Sequence, residues 1–297
     1  VLFRSDVGDG RDTNAVLWAD YDGDGDPDLY TVNREQENQF YRNDLSSDGS
    51  FSEVSAALGV ANNEIGLNGA WGDYDNDGDL DLYLANIGAN ALYENDGGSA
   101  FVEVADLAGV RIDNAGWFTS MADWADYDGD GFLDLYLATG SDRQFQRDIL
   151  YANNNDGTFD NVTAFANLPT GGSVHFAARW GDYDGNGAPD LYMTDGFGSG
   201  NLLFQNETPG SSFIKVQVLG KGGQLGGANA TCLGASVSLF DSGDRLVGFR
   251  YVTDAAGLSF GVLGGSEYRL EVRFPGSASS ISLTGLQGGD QETVVEP

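Results

Sequence analysis

One acidic loop occurs four times in this sequence, and the repeat limits the folds that the chain can adopt. The copies read DYDGDGDPDLY from Asp20, DYDNDGDLDLY from Asp73, DYDGDGFLDLY from Asp126 and DYDGNGAPDLY from Asp182. Their starts are 53, 53 and 56 residues apart. A fixed period of this length is typical of repeat proteins, in which each period folds into one supersecondary unit.

Each loop places oxygen-bearing side chains at positions 1, 3 and 5, a Gly at position 6 and an Asp at position 9. Ca²⁺ binds about six to eight oxygen atoms in a flexible arrangement, and Gly allows the backbone to turn sharply around an ion. Position 7 varies in type, so we expect it to contribute only its backbone carbonyl. The predicted metal ligands are Asp20, Asp22, Asp24, Asp26, Asp28, Asp73, Asp75, Asp77, Asp79, Asp81, Asp126, Asp128, Asp130, Phe132, Asp134, Asp182, Asp184, Asn186, Ala188 and Asp190.

Two other interpretations of the loops are a helical Ca²⁺ hand and a solvated turn. The helical hand needs an acid at position 12 and a following helix, but each loop here continues into an alternating segment that favours a strand. Asp and Gly also favour turns without any metal. However, the first three loops each hold four or five acids within nine residues, and these repel one another without a cation. We expect about four Ca²⁺ ions, with the fourth bound more weakly because Asn186 replaces a carboxylate.

The chain carries a net charge of −32, which argues against nucleic acid as a partner because phosphate binding requires a basic surface. The charge is uneven, with 38 acids and 8 bases in residues 1–210 but 8 acids and 6 bases in residues 211–297. This predicts a domain of residues 1–210, with loops at 20–28, 73–81, 126–134 and 182–190, and a second domain of residues 211–297. No apolar run reaches the roughly 18 residues of a membrane span.

The repeats predict an all-β protein built as a β-propeller of four blades. A Trp precedes each loop by two residues, and an aromatic-x-Asn element follows each loop. Four short strands in roughly 50 residues form the unit of a propeller blade. We expect Trp18, Trp71, Trp124 and Trp180 to pack where blades meet. The fourth unit lacks its outer strand, and residues 1–7 offer a spare one, so the ring either closes within the chain or belongs to a larger ring.

The C-terminal part alternates between apolar and polar residues in four segments, which predicts a small antiparallel β-sandwich. These segments are residues 213–218, 235–240, 246–249 and 268–274.

The repeats resemble the FG-GAP/VCBS family, whose integrin-like loops bind Ca²⁺ through D-x-D-x-D-G-x-x-D. The stretches LGASVSLFDSGDRLVGFR and YRLEVRFPGS are similar to the ASPIC/UnbV domain, which commonly follows such repeats. The resemblance implies secreted or cell-surface proteins that act in adhesion and recognition, often on rings of seven blades.

The sequence offers little for catalysis, and we predict that the protein is not an enzyme. Its only His, His175, and its only Cys, Cys232, are interpreted as packing residues. We favour an extracellular calcium-binding adhesion or structural module whose partner is a protein or a glycan. A homo-oligomer or filament would arise if the strand of residues 1–7 were exchanged between copies. The alternatives are a Ca²⁺-dependent carbohydrate-binding propeller and a secreted polysaccharide-active enzyme. Loops 34–37, 141–145 and 196–199 differ between repeats and are candidates for recognition.

Overall fold

A computed structural model of the chain describes residue 7 and residues 10–44, 50–113, 118–140, 148–168, 174–196, 200–208, 212–220, 232–252, 257–275, 277 and 280–296. The strands in the first part are β1 Thr13–Ala19, β2 Asp28–Asn33, β3 Gln39–Asn43, β4 Phe51–Glu53, β5 Ile65–Gly72, β6 Asp81–Ile87, β7 Ala91–Asn95, β8 Phe101–Glu103, β9 Phe118–Ala125, β10 Asp134–Gly140, β11 Ile149–Asn153, β12 Phe159–Asn161, β13 His175–Gly181, β14 Asp190–Asp195 and β15 Leu202–Phe204. Those in the second part are β16 Ser212–Leu219, β17 Ser236–Phe240, β18 Leu246–Tyr251, β19 Leu258–Val262, β20 Tyr268–Arg273, β21 Ser280–Leu286 and β22 Gln291–Val295. Two short helices are α1 Ser55–Leu58 and α2 Ala105–Ala108.

Each repeat forms its own antiparallel sheet, and we number these repeat sheets 1 to 4. Sheets 1, 2 and 3 contain β1 to β4, β5 to β8 and β9 to β12 in sequential order. Sheet 4 contains β13, β14 and β15 among the residues that the structure describes. The prediction of an all-β chain with one sheet per repeat is confirmed, whereas the missing outer strand of the fourth unit stays a prediction because residues 209–211 are not among the described ones. The predicted spare strand falls mostly on residues 1–6, which lie outside the described residues.

Consecutive repeat sheets pack face to face through apolar cores. Strand β6 is buried along six of its seven residues, because Leu82 and Leu84 face repeat sheet 1 while Tyr83 and Ala85 face repeat sheet 3. Comparable clusters join sheets 1 and 2, sheets 2 and 3, and sheets 3 and 4. Burial on both faces explains why β6 and β10 are nearly continuous apolar runs.

One helical turn follows the outer strand in repeats 1 and 2, a feature that the alternating pattern did not predict. Helices α1 and α2 end at Gly59 and Gly109, whose φ angles are 80° and 76°. This left-handed conformation is the usual helix C-terminal cap and favours Gly. Across the described residues, neither helix has the length or apolar character to cross a membrane.

The C-terminal part forms two sheets that share one core. Their strand orders are β19-β16-β22 and β18-β17-β20-β21, and the core between them includes Ile214, Leu239, Phe260 and Leu270. Strand β22 pairs parallel with β16, which differs from the predicted wholly antiparallel arrangement. The parallel pair arises because β22 follows β21 of the other sheet and is not joined to β16 by a hairpin.

Candidate metal centres

Three carboxylates converge in every acidic loop, from positions 1, 3 and 9. In each loop, one oxygen atom from each of the three residues lies within 4.8 Å of the others. The groups are Asp20, Asp22 and Asp28; Asp73, Asp75 and Asp81; Asp126, Asp128 and Asp134; and Asp182, Asp184 and Asp190. The structure therefore brings together twelve of the twenty predicted ligands as four equivalent clusters.

The position-9 carboxylate is fixed because it begins the second strand of its repeat sheet and lies almost fully buried. In loop 2, Asp81 Oδ2 accepts a hydrogen bond from Tyr74 N at 3.2 Å, and Asp81 Oδ1 accepts one from Asn95 N at 2.9 Å. Loops 1, 3 and 4 contain the same pair of hydrogen bonds. The aromatic-x-Asn element thus orients the last carboxylate of its own loop.

The position-1 carboxylate is held by the turn at position 6. Its Oδ2 atom accepts the backbone N–H of the position-6 Gly at 2.9 to 3.1 Å in all four loops. These Gly residues, Gly25, Gly78, Gly131 and Gly187, have φ angles of 94° to 102°. Side chains other than Gly rarely adopt this conformation, which explains why position 6 is Gly in every copy.

Positions 5 and 7 are not part of the three-residue clusters. The position-5 side chains of Asp24, Asp77, Asp130 and Asn186 each accept a hydrogen bond from the position-7 backbone N–H, at 2.7 to 2.9 Å. They shape the loop without a cation, and their role as ligands stays a prediction. The same holds for the position-7 residues Asp26, Asp79, Phe132 and Ala188.

Burial and mutual repulsion make the clusters unfavourable places for uncompensated charge. Burial raises the pKa of Asp28 and Asp73 to about 8, and that of Asp20 and Asp126 to about 6. Asp20 Oδ1 is buried and has no hydrogen-bond donor among the described residues. A cation would favour the ionised form of these carboxylates, and an all-oxygen carboxylate set suits a hard ion such as Ca²⁺.

Loop 4 differs because a cation of the protein already contacts it. The ammonium group of Lys215, on β16, forms an ion pair with Asp182 Oδ2. Burial acts to raise the pKa of Asp182, but the hydrogen bonds from Lys215 and from Gly187 N outweigh burial and lower it. Ser259 Oγ adds a hydrogen bond to Gly187 O at 3.0 Å. The C-terminal sheets therefore bind directly to the fourth loop.

Loops 2 and 3 also meet the C-terminal sheets. Gly261 N donates a hydrogen bond to Asp126 Oδ2 at 2.7 Å. Arg250 is buried, which lowers its pKa, while the carboxylates of Asp126 and Asp73 act in the opposite direction. The residues predicted from the sequence did not include Lys215, Arg250 or Gly261. The one available signal was Arg250, which lies on the same face of β18 as the buried Gly248.

The residues considered for catalysis are enclosed. His175 is buried, and its Nδ1 atom pairs with Asp148 Oδ2. His175 Nε2 is also buried and has no hydrogen-bond partner in the described part of the chain. Cys232 is buried, and burial raises the pKa of its thiol. These positions agree with packing roles.

Comparison with known proteins identifies a family and finds weak similarity to several solved structures. The profile of a family described as FG-GAP-like repeat matches residues 20–84, 73–137 and 126–193, which together span more than half of the chain and include all four loops. A search of curated proteins finds no significant match. An Agrocybe aegerita lectin that recognises non-reducing terminal N-acetylglucosamine is 17% identical with a TM-score of 0.42, over 96% of this chain and 70% of that chain. BBS1N, solved in complex with ARL6DN, is 12% identical with a TM-score of 0.38, over 96% and 84%.

Proposed function

Because the chain belongs to the FG-GAP-like repeat family, we propose that it is an extracellular calcium-binding module for adhesion or structural support. The observation that carries this proposal is the convergence of three carboxylates in each of four loops. Each cluster lies at the start of the second strand of its repeat sheet, and in sheets 2 and 3 this strand packs between two neighbouring repeat sheets. A Ca²⁺ ion at each cluster would neutralise buried acids and fix the ends of these strands, so ion binding and folding would be coupled.

The proposed architecture is four propeller blades, formed by the repeat sheets, followed by a β-sandwich of the ASPIC/UnbV type. Residues 1–210 would form the first domain and residues 211–297 the second. Three apolar cores between consecutive repeat sheets and one separate C-terminal core support this division. We propose a location outside the cytosol because FG-GAP-like repeats are typical of extracellular proteins, where Ca²⁺ sites with dissociation constants of roughly 10⁻⁴–10⁻³ M can be occupied.

Calcium binding is tested by calorimetry and by thermal melting. We expect several Ca²⁺ ions to bind per chain and chelation to lower the melting temperature, because a ligand at a hundredfold excess over its dissociation constant stabilises by about 2.7 kcal/mol per site. Asp75→Ala should remove one ion and part of this stabilisation. Asp160→Ala, at an exposed acid of β12 outside the clusters, is the control. An unchanged melt in excess chelator, with no bound Ca²⁺ at millimolar concentration, would show that the loops are only turns.

We infer a binding role rather than catalysis. The only His is buried and paired with Asp148, so a substrate could not approach it without local opening. The carboxylates at positions 1, 3 and 9 belong to the metal clusters and are held by backbone amides. The absence of turnover on polysaccharides would agree with this inference, and turnover abolished by a loop variant would contradict it.

A second candidate function is carbohydrate binding, which one cavity favours. A cavity of about 410 Å³ lies between the repeat sheets and the C-terminal sheets, and its walls include Trp71, Trp124 and Trp180. The walls combine these tryptophans with several charged side chains, and the volume lies within the range of small-ligand sites. A glycan array tests the candidate, and Arg179→Ala, at an exposed residue of the same wall, should weaken any specific signal. Equal signals for this variant and the native chain would place the binding elsewhere.

A further inference from the structure

The four aromatic-x-Asn elements differ in the charge of the residue at position x. The aromatic residue before position x pairs with the residue that follows the position-9 Asp in every repeat. The Asn after position x donates its backbone N–H to the position-9 carboxylate. Position x is therefore held next to the carboxylate cluster of each loop. Its occupants in repeats 1 to 4 are Arg42, Glu94, Ala152 and Gln205.

Repeat 4 shows which part of the loop a side chain at position x contacts. Gln205 Nε2 donates a hydrogen bond to Asp184 Oδ2 at 2.6 Å. Asp184 is the position-3 member of the carboxylate cluster of loop 4. The long side chain at position x thus reaches a predicted metal ligand of its own repeat, so its charge acts on the same place that a cation would occupy.

In repeat 2 the residue at position x is an acid. Glu94 Oε2 accepts a hydrogen bond at 2.7 Å from the hydroxyl of Tyr74, which is position 2 of loop 2. Glu94 and Asp75 line one cavity of about 280 Å³ together with Asp156, and the described part of its wall includes no Lys or Arg. Burial raises the pKa of Asp75 and of Asp77, and the negative charge of Glu94 acts in the same direction. Loop 2 is therefore in the field of an acid from outside the loop.

The other three repeats carry no acid at position x. Arg42 of repeat 1 forms an ion pair with Asp44 at 2.9 Å. Burial raises the pKa of Asp22 in loop 1, and the positive charge of Arg42 opposes this increase. Ala152 and Gln205 are uncharged. Position x therefore adds negative charge to loop 2, positive charge to loop 1 and no charge to loops 3 and 4.

We propose that Glu94 is an affinity-determining acid of loop 2, so that loop 2 binds Ca²⁺ more tightly than the other three loops. This inference rests on the proposed function and ranks its sites. Loops 1 and 2 each hold five acids of their own, whereas loops 3 and 4 hold four and three. The count within the motif therefore does not distinguish loop 1 from loop 2, but position x does. More negative charge around a Ca²⁺ ion gives a higher affinity.

Calorimetric Ca²⁺ titration of single variants tests the proposal. Glu94→Gln keeps the length of the side chain and an oxygen acceptor for Tyr74, and it removes the charge. The tightest binding step should weaken by about 3- to 30-fold, because a nearby unit charge acts on a doubly charged ion through a partly screened medium. Glu103→Gln is the matched control. Glu103 lies on the adjoining strand β8 but on the opposite face of repeat sheet 2 from Glu94, so every binding step should stay unchanged.

Two further variants identify the loop on which Glu94 acts. Asp75→Ala should abolish the tightest step, and adding Glu94→Gln to it should not change the remaining steps. Ala152→Glu places the same acid at position x of repeat 3 and should strengthen one weaker step, whereas Ala152→Gln should not. Circular dichroism and melting confirm the fold of each variant.

The salt dependence separates an effect of charge from an effect of packing. The ratio of the Ca²⁺ affinities of the native chain and Glu94→Gln should shrink as the salt concentration rises from about 0.05 M to about 0.5 M, because salt screens the charge of Glu94. A loss of packing would give the same ratio at both salt concentrations.

The outcomes also distinguish this inference from the proposed function. A chain that binds no Ca²⁺ at millimolar concentration would contradict both. A chain that binds several ions, with identical titrations for the native protein and Glu94→Gln, would overturn only the role of Glu94. A tightest step that survives Asp75→Ala, or an effect of Glu94→Gln that does not depend on salt, would overturn that role as well.

Discussion

Removing the ammonium group of Lys215 should strengthen Ca²⁺ binding at loop 4. In the structure this ammonium is paired with Asp182 Oδ2, one of the three converging carboxylates of that loop. A Ca²⁺ ion at loop 4 must therefore compete with an internal cation, a disadvantage added to that of Asn186. Loops 1 to 3 carry no comparable lysine pair among the described residues. Lys215→Met keeps the length and apolar stem of the side chain while removing the competing charge.

The size of the effect follows from the burial of the pair. The side chains of Lys215 and Asp182 are only 22% and 10% exposed, so the pair is stronger than a surface ion pair. Hydrogen bonds to charged groups contribute about 1.5–3 kcal/mol. Since 1.4 kcal/mol corresponds to tenfold in affinity, the Ca²⁺ affinity of loop 4 should rise by about 10- to 150-fold.

Calorimetric Ca²⁺ titration measures this change. The native chain should show one site with a lower Ca²⁺ affinity than the others. In Lys215→Met the affinity of that site should approach the affinity of the other sites. Arg269→Met is the control, because it removes the same charge and an ion pair with Asp244 in the C-terminal sheets without contacting a loop. Adding Asp184→Asn to Lys215→Met should cancel the gain. Identical isotherms for the native chain and Lys215→Met would refute the competition.

Two further predictions concern pH and the contact between loop 3 and the C-terminal sheets. The folded-state pKa of Asp28 and of Asp73 is raised by burial from 3.8 to about 8, so the metal-free folded chain holds more protons than the unfolded chain in this range. Its free energy of unfolding should therefore fall as pH rises from about 4 to about 8, and the stabilisation by Ca²⁺ should grow over the same range. Chemical denaturation at pH 5 and pH 7.5, with and without Ca²⁺, measures both changes. At Gly261, a Cβ atom would overlap Asp126 Oδ2 and the backbone of Gly129, so Gly261→Ala should destabilise the chain by about 1–3 kcal/mol. Gly264→Ala, where the nearest atom would lie 3.6 Å away, should leave the melting temperature unchanged.

The repeat pattern predicted most of the local structure, because the residues that determine each turn and each strand lie within a single repeat. The position of Gly25 and its equivalents required a left-handed backbone, and the alternation after each loop required a strand. The aromatic-x-Asn element was recognised only as a periodic feature. Its role depends on a hydrogen bond from Asn153 to Tyr74 O, 79 residues away. Nothing in the sequence indicated this hydrogen bond, because the two residues come together only when their repeat sheets pack against each other.

Exposure at the ends of the repeat array could not be predicted from the motif. Trp18 and Trp71 occupy the same position of the motif, and Tyr192 and Tyr83 do likewise. Their burial differs because an internal repeat has a neighbour on both sides, whereas repeats 1 and 4 have one described neighbour each. A pattern of residue types describes one repeat and its preferred neighbours. It does not say whether a neighbour is present, so the difference in exposure of Trp18 and Tyr192 from their counterparts became visible only in three dimensions.

The two parts of the chain on either side of residue 210 differ in net charge, but they contact each other through charged residues. The composition suggested an acidic domain and a nearly neutral one, with net charges of −30 and −2, as if the second were merely appended. Yet Lys215 contacts loop 4 and buried Arg250 lies in the field of Asp126 and Asp73. A buried arginine is costly unless anions compensate it, and buried carboxylates are costly unless cations do. Each part therefore supplies charges that compensate those of the other, and the proposed metal binding at these loops would alter the contact between them.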